Sequence, residues 1–206
     1  MNNNVKVYTA VTEGIDKKSL EAAIDKLPEW RRQYVEKKTL SEKINGSFAY
    51  LLLEYVTERE FGGFDPAPFT YTGSGKPNFA SSDLYFSISH CKTAVGAAVS
   101  KSEIGLDLMD NRIINERITR IICTEGELRQ FEAADNKQEF LRLLWCKKES
   151  AVKKTGTGFT AGFKTVRTEE MDFKIKIAPV YIASVCGGGE TEFKEIGWRE
   201  LILISS

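Results

Sequence analysis

Three stretches of the chain carry side chains suited to a phosphate ester and a divalent cation: Phe86-Ser-Ile-Ser89-His90-Cys91, Ile104-Gly-Leu-Asp107 and Trp145-Cys-Lys-Lys148-Glu149-Ser-Ala-Val-Lys153. They hold the only histidine of the chain, two carboxylates and a set of lysines. Asp107 interrupts the apolar run Ile104, Leu106, Leu108, Met109. A carboxylate on such a strand needs a cation, a metal or hydrogen bonds, so it reads either as a ligand or as a strand-edge aspartate satisfied by turn amides. His90 follows a strand pattern and is either a ligand contact or a structural hydrogen-bonder. On a helix, Trp145, Glu149 and Lys153 are four residues apart in turn and share a face. A Glu-Lys pair at that spacing is also ordinary helix surface, stabilising by about 0.2–0.5 kcal/mol. A hydrolase built on His90 and Cys91 is a poor reading, because adjacent residues seldom orient as base and nucleophile and no oxyanion-forming motif accompanies them.

The elements that must position these groups follow from patterning. Residues 5–11 alternate as an opening strand, 16–27 read as a helix, and Pro28 starts a new element. Helical spacing from Trp30 to Tyr55 predicts two helices, the second over 41–61, with Arg31, Arg32, Lys37, Lys38 and Lys43 along them as an anion site or a solvated face. Gly62-Gly63, Pro66 and Pro68 mark a loop; 69–71 form a short strand, 73–77 a turn, and 84–88 and 94–100 strands. A strand at 104–109 and helices at 115–122, 124–134 and 137–154 follow, the third of these four opening on a Thr124–Glu127 capping box. Strands at 163–167, 173–177 and 181–185 complete the pattern, with Gly187-Gly-Gly189 as a turn. The expected fold is α+β, in two pseudo-duplicated halves, 1–103 and 104–206, each a small antiparallel sheet packed with helices, with the site in the cleft between them.

Composition narrows the partners. Lys+Arg and Asp+Glu are 29 each over 206 residues, so no global field draws the molecule to nucleic acid or to a membrane, and any anion site must be local. No run approaches the roughly 18–20 apolar residues of a membrane span. Cys91, Cys123, Cys146 and Cys186 show no metal-binding spacing, and Met1-Asn-Asn-Asn-Val lacks the apolar run of a signal peptide. Reduced thiols and a cytoplasmic location are expected.

Jointly, the segments resemble the 4′-phosphopantetheinyl transferases, in particular the monomeric, double-length type that activates nonribosomal peptide and polyketide synthases. That family shows in order a GKP turn, an F-x-[IL]-SH segment, an IG-[IL]-D-[IL]-E strand and a W-x-x-KE-x-x-x-K helix. Here they read Gly75-Lys76-Pro77, Phe86 to His90, Ile104-Gly105-Leu106-Asp107-Leu108-Met109 and Trp145 to Lys153, followed by Gly156 and Gly158. The resemblance implies magnesium-dependent transfer of phosphopantetheine from coenzyme A to a serine of an apo acyl or peptidyl carrier protein, in fatty-acid, polyketide or peptide synthesis, with release of adenosine 3′,5′-bisphosphate. It implies Asp107 and Glu149 as ligands of Mg²⁺, for which Mn²⁺ substitutes, Lys153 at the pyrophosphate, Glu149 as acceptor of the serine proton, and Lys148 as a supporting cation. Ser89 and His90 then contact coenzyme A phosphates, Lys76 sits in the turn lining the adenine pocket, and Arg32, Lys37 and Lys38 are candidates for the 3′-phosphate. It further implies a monomer, since a duplicated chain builds within itself the cleft that half-length relatives form between subunits.

One departure stands out. The family commonly has a second acid two residues beyond the strand aspartate, and here that position is Met109. Asp110 points to the opposite face of a strand and cannot replace it. Asp107, Glu149, the pyrophosphate and water are therefore expected to complete the coordination of the cation. Met109 also supports an alternative, a catalytically impaired module that binds coenzyme A or carrier protein. The carrier surface is expected near residues 123–131.

Overall fold

The computed structural model describes residues 4–158 and 162–204 and has a mixed α+β architecture in which small sheets pack against helices. Met1 to Asn3, on which the reading of the leader partly rests, lie outside the described residues. A four-stranded sheet runs in the order β4 (Tyr85–His90), β5 (Ala94–Ser100), β1 (Val5–Val11), β9 (Thr191–Glu195). A three-stranded sheet runs β6 (Gly105–Asp110), β8 (Tyr181–Cys186), β7 (Phe173–Ile177), and β2 (Thr70–Tyr71) pairs with β3 (Pro77–Asn78) as a short ribbon.

The first sheet is organised around α3 (Leu40–Phe61). Thr39 and Glu42 close a reciprocal capping box at its start, and Gly62 ends it in the left-handed region at φ 85°. From Ser47 to Leu53 every side chain is buried, so over these two turns α3 is enclosed on all sides as a central helix must be. The sheet packs on one side of it, and α1 (Lys17–Asp25), α2 (Glu29–Glu36) and α7 (Trp198–Ile204) cover the rest. Burying each large apolar side chain there stabilises the fold by about 1.5–3 kcal/mol.

β5 separates two cores by alternation. Val95, Ala97 and Val99 face the α3 core, while Ala94 and Ala98 join Leu106, Leu108 and Val185 of the second sheet. Its residues are small because both faces are covered; a Cβ on Gly96 would lie 2.8 Å from a Leu108 methyl. Edge strands β4 and β6 meet through serines rather than a backbone ladder. Ser87 Oγ accepts the Leu106 amide at 2.9 Å and Ser89 Oγ accepts the Leu108 amide at 3.1 Å. On the far side of the second sheet lies α6 (Lys137–Thr155), so close to β6 that a Cβ on Gly105 would stand 1.9 Å from the Ser150 carbonyl oxygen.

Several expectations change. The sheets are not wholly antiparallel, because β9 runs parallel to β1. β9 and α7, unassigned by patterning, carry the C-terminal end back to the first sheet and onto α3. Residues 163–165 form a 3₁₀ turn instead of a strand, and the carbonyls of Phe163 and Val166 turn inward to accept the Lys148 ammonium. The 115–122 helix is a 3₁₀ turn at Glu116–Ile118 followed by the short α4 (Thr119–Ile122), while α5 (Glu125–Ala133) has the expected Thr124–Glu127 box. All four cysteines are free and buried. Among the described residues no helix is long and apolar enough to cross a membrane.

Candidate active site

A cleft of about 580 Å³ opens between α2, α3, the end of β4, β6 and α6. Strand alternation puts Asp107 and Met109 of β6 on its wall, and helical spacing puts Trp145, Glu149 and Lys153 of α6 opposite them. Ser89 and His90, at the end of β4, complete the floor. The elements meet here because Gly105 lets α6 lie directly on β6 and because Ser87 and Ser89 tie β4 to β6.

The groups form a connected set. The Lys153 ammonium donates to Asp107 Oδ1 at 2.7 Å and to Ser89 Oγ at 2.9 Å, and Ser89 donates to the same Asp107 oxygen at 3.0 Å. With the Leu108 amide as well, the buried Ser89 hydroxyl has its donor and both acceptor positions filled. The Cys146 thiol donates to the Asp107 carbonyl at 3.2 Å, holding the strand residue from behind. Glu149 is half-buried, and burial, followed by the charge of Asp107, pushes its carboxyl up to about 7 against the pull of Lys153. Desolvation and then the Lys153 ammonium hold His90 below the ordinary histidine value.

The cations of the cleft differ from the set that sequence reasoning assigned to it. Lys38 lines it, as do Arg31 and Arg112. Arg31 is buried, donates to the Gly46 carbonyl at 3.0 Å and stacks over Tyr34 at 5.0 Å and Tyr50 at 5.8 Å. Burial, the largest influence, lowers its pKa. One step along α2, Arg32 instead donates to the Asp25 and Leu27 carbonyls, and Lys37 ends the helix in solvent. The Arg31–Val35 spacing, with both buried on one face of α2, is the signal that distinguishes Arg31 from its neighbour. Arg112 grips Asp110 with Nε at 2.7 Å and Nη2 at 2.9 Å, and the Lys92 amide also reaches that carboxylate.

Lys148, Arg32 and Lys37 are not brought to the cleft. Lys148 is fully buried on another face of α6, where its ammonium pairs with Glu127 at 2.8 Å and donates to the Phe163 and Val166 carbonyls. Burial raises the Glu127 carboxyl, but the bonds from Lys148, the Thr124 amide and Thr168 outweigh it and leave it lowered. Lys76 lines an adjoining slot of about 250 Å³, walled by Gly75, Pro77, Phe86 and Gly156 and sharing Glu149 and Lys153 with the main cleft. Gly156 and Gly158 both have left-handed backbones, at φ 65° and 62°, so the glycine turn closes α6 beside this slot.

Glu42, Asp107 and Glu149 are the carboxylates of the cleft lining. Glu42 is committed to its capping box, so Asp107 and Glu149 are the carboxylates of the lining that could hold a cation. Among the described residues no group of three or more His, Cys, Asp or Glu is arranged to hold a metal ion. Two hard oxygen donors next to a wall of cationic side chains suit a cation that takes its remaining ligands from a phosphate and water, as Mg²⁺ does, rather than one caged by protein.

A cation-rich cleft around two carboxylates and a lysine has the charge pattern to accept a phosphorylated ligand. Residues 103–180 match the family model described as the 4′-phosphopantetheinyl transferase superfamily, a stretch that holds β6 with Asp107 and α6 with Glu149 and Lys153. No curated protein matches the chain.

Proposed function

We propose that this chain transfers 4′-phosphopantetheine from coenzyme A to a serine hydroxyl of an apo acyl or peptidyl carrier protein, as a monomer of the double-length type in the cytoplasm. The observation that carries the reading is the convergence of Asp107, Glu149 and Lys153, from a strand and a helix some forty residues apart, on one cation-lined cleft. A divalent cation held by Asp107 and Glu149 would neutralise the pyrophosphate of coenzyme A. Lys153 moves from Asp107 toward the same oxygens, Arg31, Lys38 and Arg112 supply further positive charge for the phosphates, and His90, held below the ordinary histidine value, offers them a hydrogen bond from a neutral imidazole. The serine oxygen bonds to the phosphorus carrying the pantetheine, the anhydride bond breaks, and adenosine 3′,5′-bisphosphate departs with the electron pair. Glu149 takes the serine proton, directly or through water. The slot beside Lys76 and Pro77, apolar on most of its wall, suits the adenine ring.

Exposed Ile113 and Ile121 follow the metal strand on a segment that also exposes Arg112, Arg117 and Arg120. This apolar and basic surface suits an amphipathic acidic helix of a carrier protein. Within the expected 123–131, Cys123 and Phe131 are buried while Leu128 and Arg129 are exposed, so that segment can extend the same surface.

The test is the mass of a carrier protein incubated with the chain, coenzyme A and Mg²⁺. A gain of the phosphopantetheine increment, lost in Asp107→Ala, is expected. Met109 on the cleft wall favours a second reading, a binding module without catalysis. Coenzyme A binding with no mass gain would select that module over the transferase.

A further inference from the structure

We propose that Lys76 is a positioning residue, whose ammonium staples the start of β6 to the end of α6 and so sets the separation of Asp107 and Glu149. The inference rests on the transfer reading and deepens it, by assigning this lysine a role other than contact with the nucleotide.

The Lys76 ammonium donates to the Lys154 carbonyl at 2.7 Å and to the Ile104 carbonyl at 3.2 Å. These acceptors belong to the two elements that carry the acids. Ile104 immediately precedes β6, three residues before Asp107, and Lys154 lies in the last turn of α6, directly after Lys153. Carbonyls at the end of a helix lack intrahelical partners and concentrate the negative end of its dipole, so a cation is the fitting cap. No side chain of β6 can do this work at Gly105, where the strand backbone touches the helix backbone.

The lysine is itself held in place. The Thr72 amide donates to the Lys76 carbonyl and the Gly75 amide to the Thr72 carbonyl, both at 2.9 Å, while Thr72 Oγ1 accepts the Lys76 amide at 3.1 Å. Gly75 takes the left-handed conformation, at φ 86°, that this turn requires. The lysine stem lies against Gly156, where a Cβ would come within 3.2 Å of Lys76 Cδ. To reach a phosphate, the ammonium would have to abandon both carbonyls and leave the Lys154 carbonyl at the end of α6 without this donor. The wall of the slot is therefore built from the stem and the turn.

Lys76→Met keeps the stem and removes the staple, and Lys76→Arg keeps a cation able to bridge two carbonyls. Because a misplacement of about 1 Å can reduce turnover by about a hundredfold, Lys76→Met is expected to lower kcat at saturating coenzyme A by about tenfold or more and to raise the Mg²⁺ concentration giving half-maximal rate. Its affinity for adenosine 3′,5′-bisphosphate, measured by calorimetry without divalent cation, stays close to wild type, and Lys76→Arg recovers most of the kcat. Loss of bisphosphate affinity with unchanged kcat and Mg²⁺ midpoint overturns the role, as does an arginine that restores nothing. If Lys76→Met does not fold, the ¹⁵N resonance of the wild-type Lys76 ammonium decides: it stays protected from solvent exchange when the bisphosphate is added, and loss of protection overturns the staple. A wild-type chain that modifies no carrier overturns the transfer reading and this role together. Wild-type transfer combined with a nucleotide-contact profile in Lys76→Met overturns the role alone.

Discussion

Adding one methyl group at Gly105 separates the two elements on which the acids stand. The Cβ of Gly105→Ala would meet the Ser150 carbonyl oxygen at 1.9 Å and the Lys154 nitrogen at 2.4 Å. Both are backbone atoms of α6 and cannot rotate away, so the helix must recede by about 1.5 Å to restore an ordinary contact. Overpacking of this kind destabilises by about 1–3 kcal/mol, and the backbone clash puts this variant at the upper end, near 3 kcal/mol. Glu149 and Lys153 move with the helix while Asp107 stays with the strand. A displacement above about 1 Å predicts a fall in kcat of about a hundredfold, equivalent to about 2.7 kcal/mol in the barrier. Urea unfolding gives the first quantity, and the rate of carrier mass gain at saturating coenzyme A, measured well below the unfolding temperature, gives the second. A variant with stability within about 0.5 kcal/mol of wild type and turnover within about threefold would refute the claim that backbone contact between α6 and β6 sets the site. Gly96→Ala is an informative contrast, because its Cβ meets the movable methyls of Leu106 and Leu108.

Two further expectations concern buried charge. The Glu54 carboxyl on α3 is raised to about 7 by burial and then by Glu58, and its Oε2 has no hydrogen-bond partner among the described residues. The folded state therefore binds this proton more tightly than the unfolded state, so the contribution is full below about pH 4.5 and is lost as pH rises through 7. The full shift corresponds to about 3.4 kcal/mol; partial exposure reduces this, and urea unfolding at pH 5 and pH 8 should show wild type losing about 2 kcal/mol relative to Glu54→Gln. Equal losses in the two proteins would contradict the assignment. Lys148→Met leaves the Glu127 carboxylate buried without its cation, and is expected to destabilise by about 3–5 kcal/mol, with the double variant Lys148→Met/Glu127→Leu less impaired than the single one. A loss below about 1 kcal/mol in Lys148→Met would place the stability of the 163–170 segment elsewhere.

The chain's local pattern determined the faces of its elements. Spacing along 145–153 put Trp145, Glu149 and Lys153 on one side of a helix, and alternation along β6 put Met109 beside Asp107 with Asp110 behind; the cleft lining has this arrangement. Capping chemistry at Thr124 marked where α5 begins. These features depend on residues within one or two turns of each other, so periodicity and hydrogen-bonding capacity settle them. Tertiary packing alone decided which face met which neighbour. A step of one residue along α2 separates Arg31 in the cleft from Arg32 on the α1 carbonyls, and Lys148 differs from Lys153 by the buried Glu127 that only folding brings near it. Likewise β9 sits beside β1 because a parallel partner more than 180 residues away offers its edge, a pairing that no property of 191–195 encodes by itself. The Lys76 ammonium and the Ser89 hydroxyl acquire their roles from acceptors and donors distant in the chain, which long-range contact places within about 3 Å.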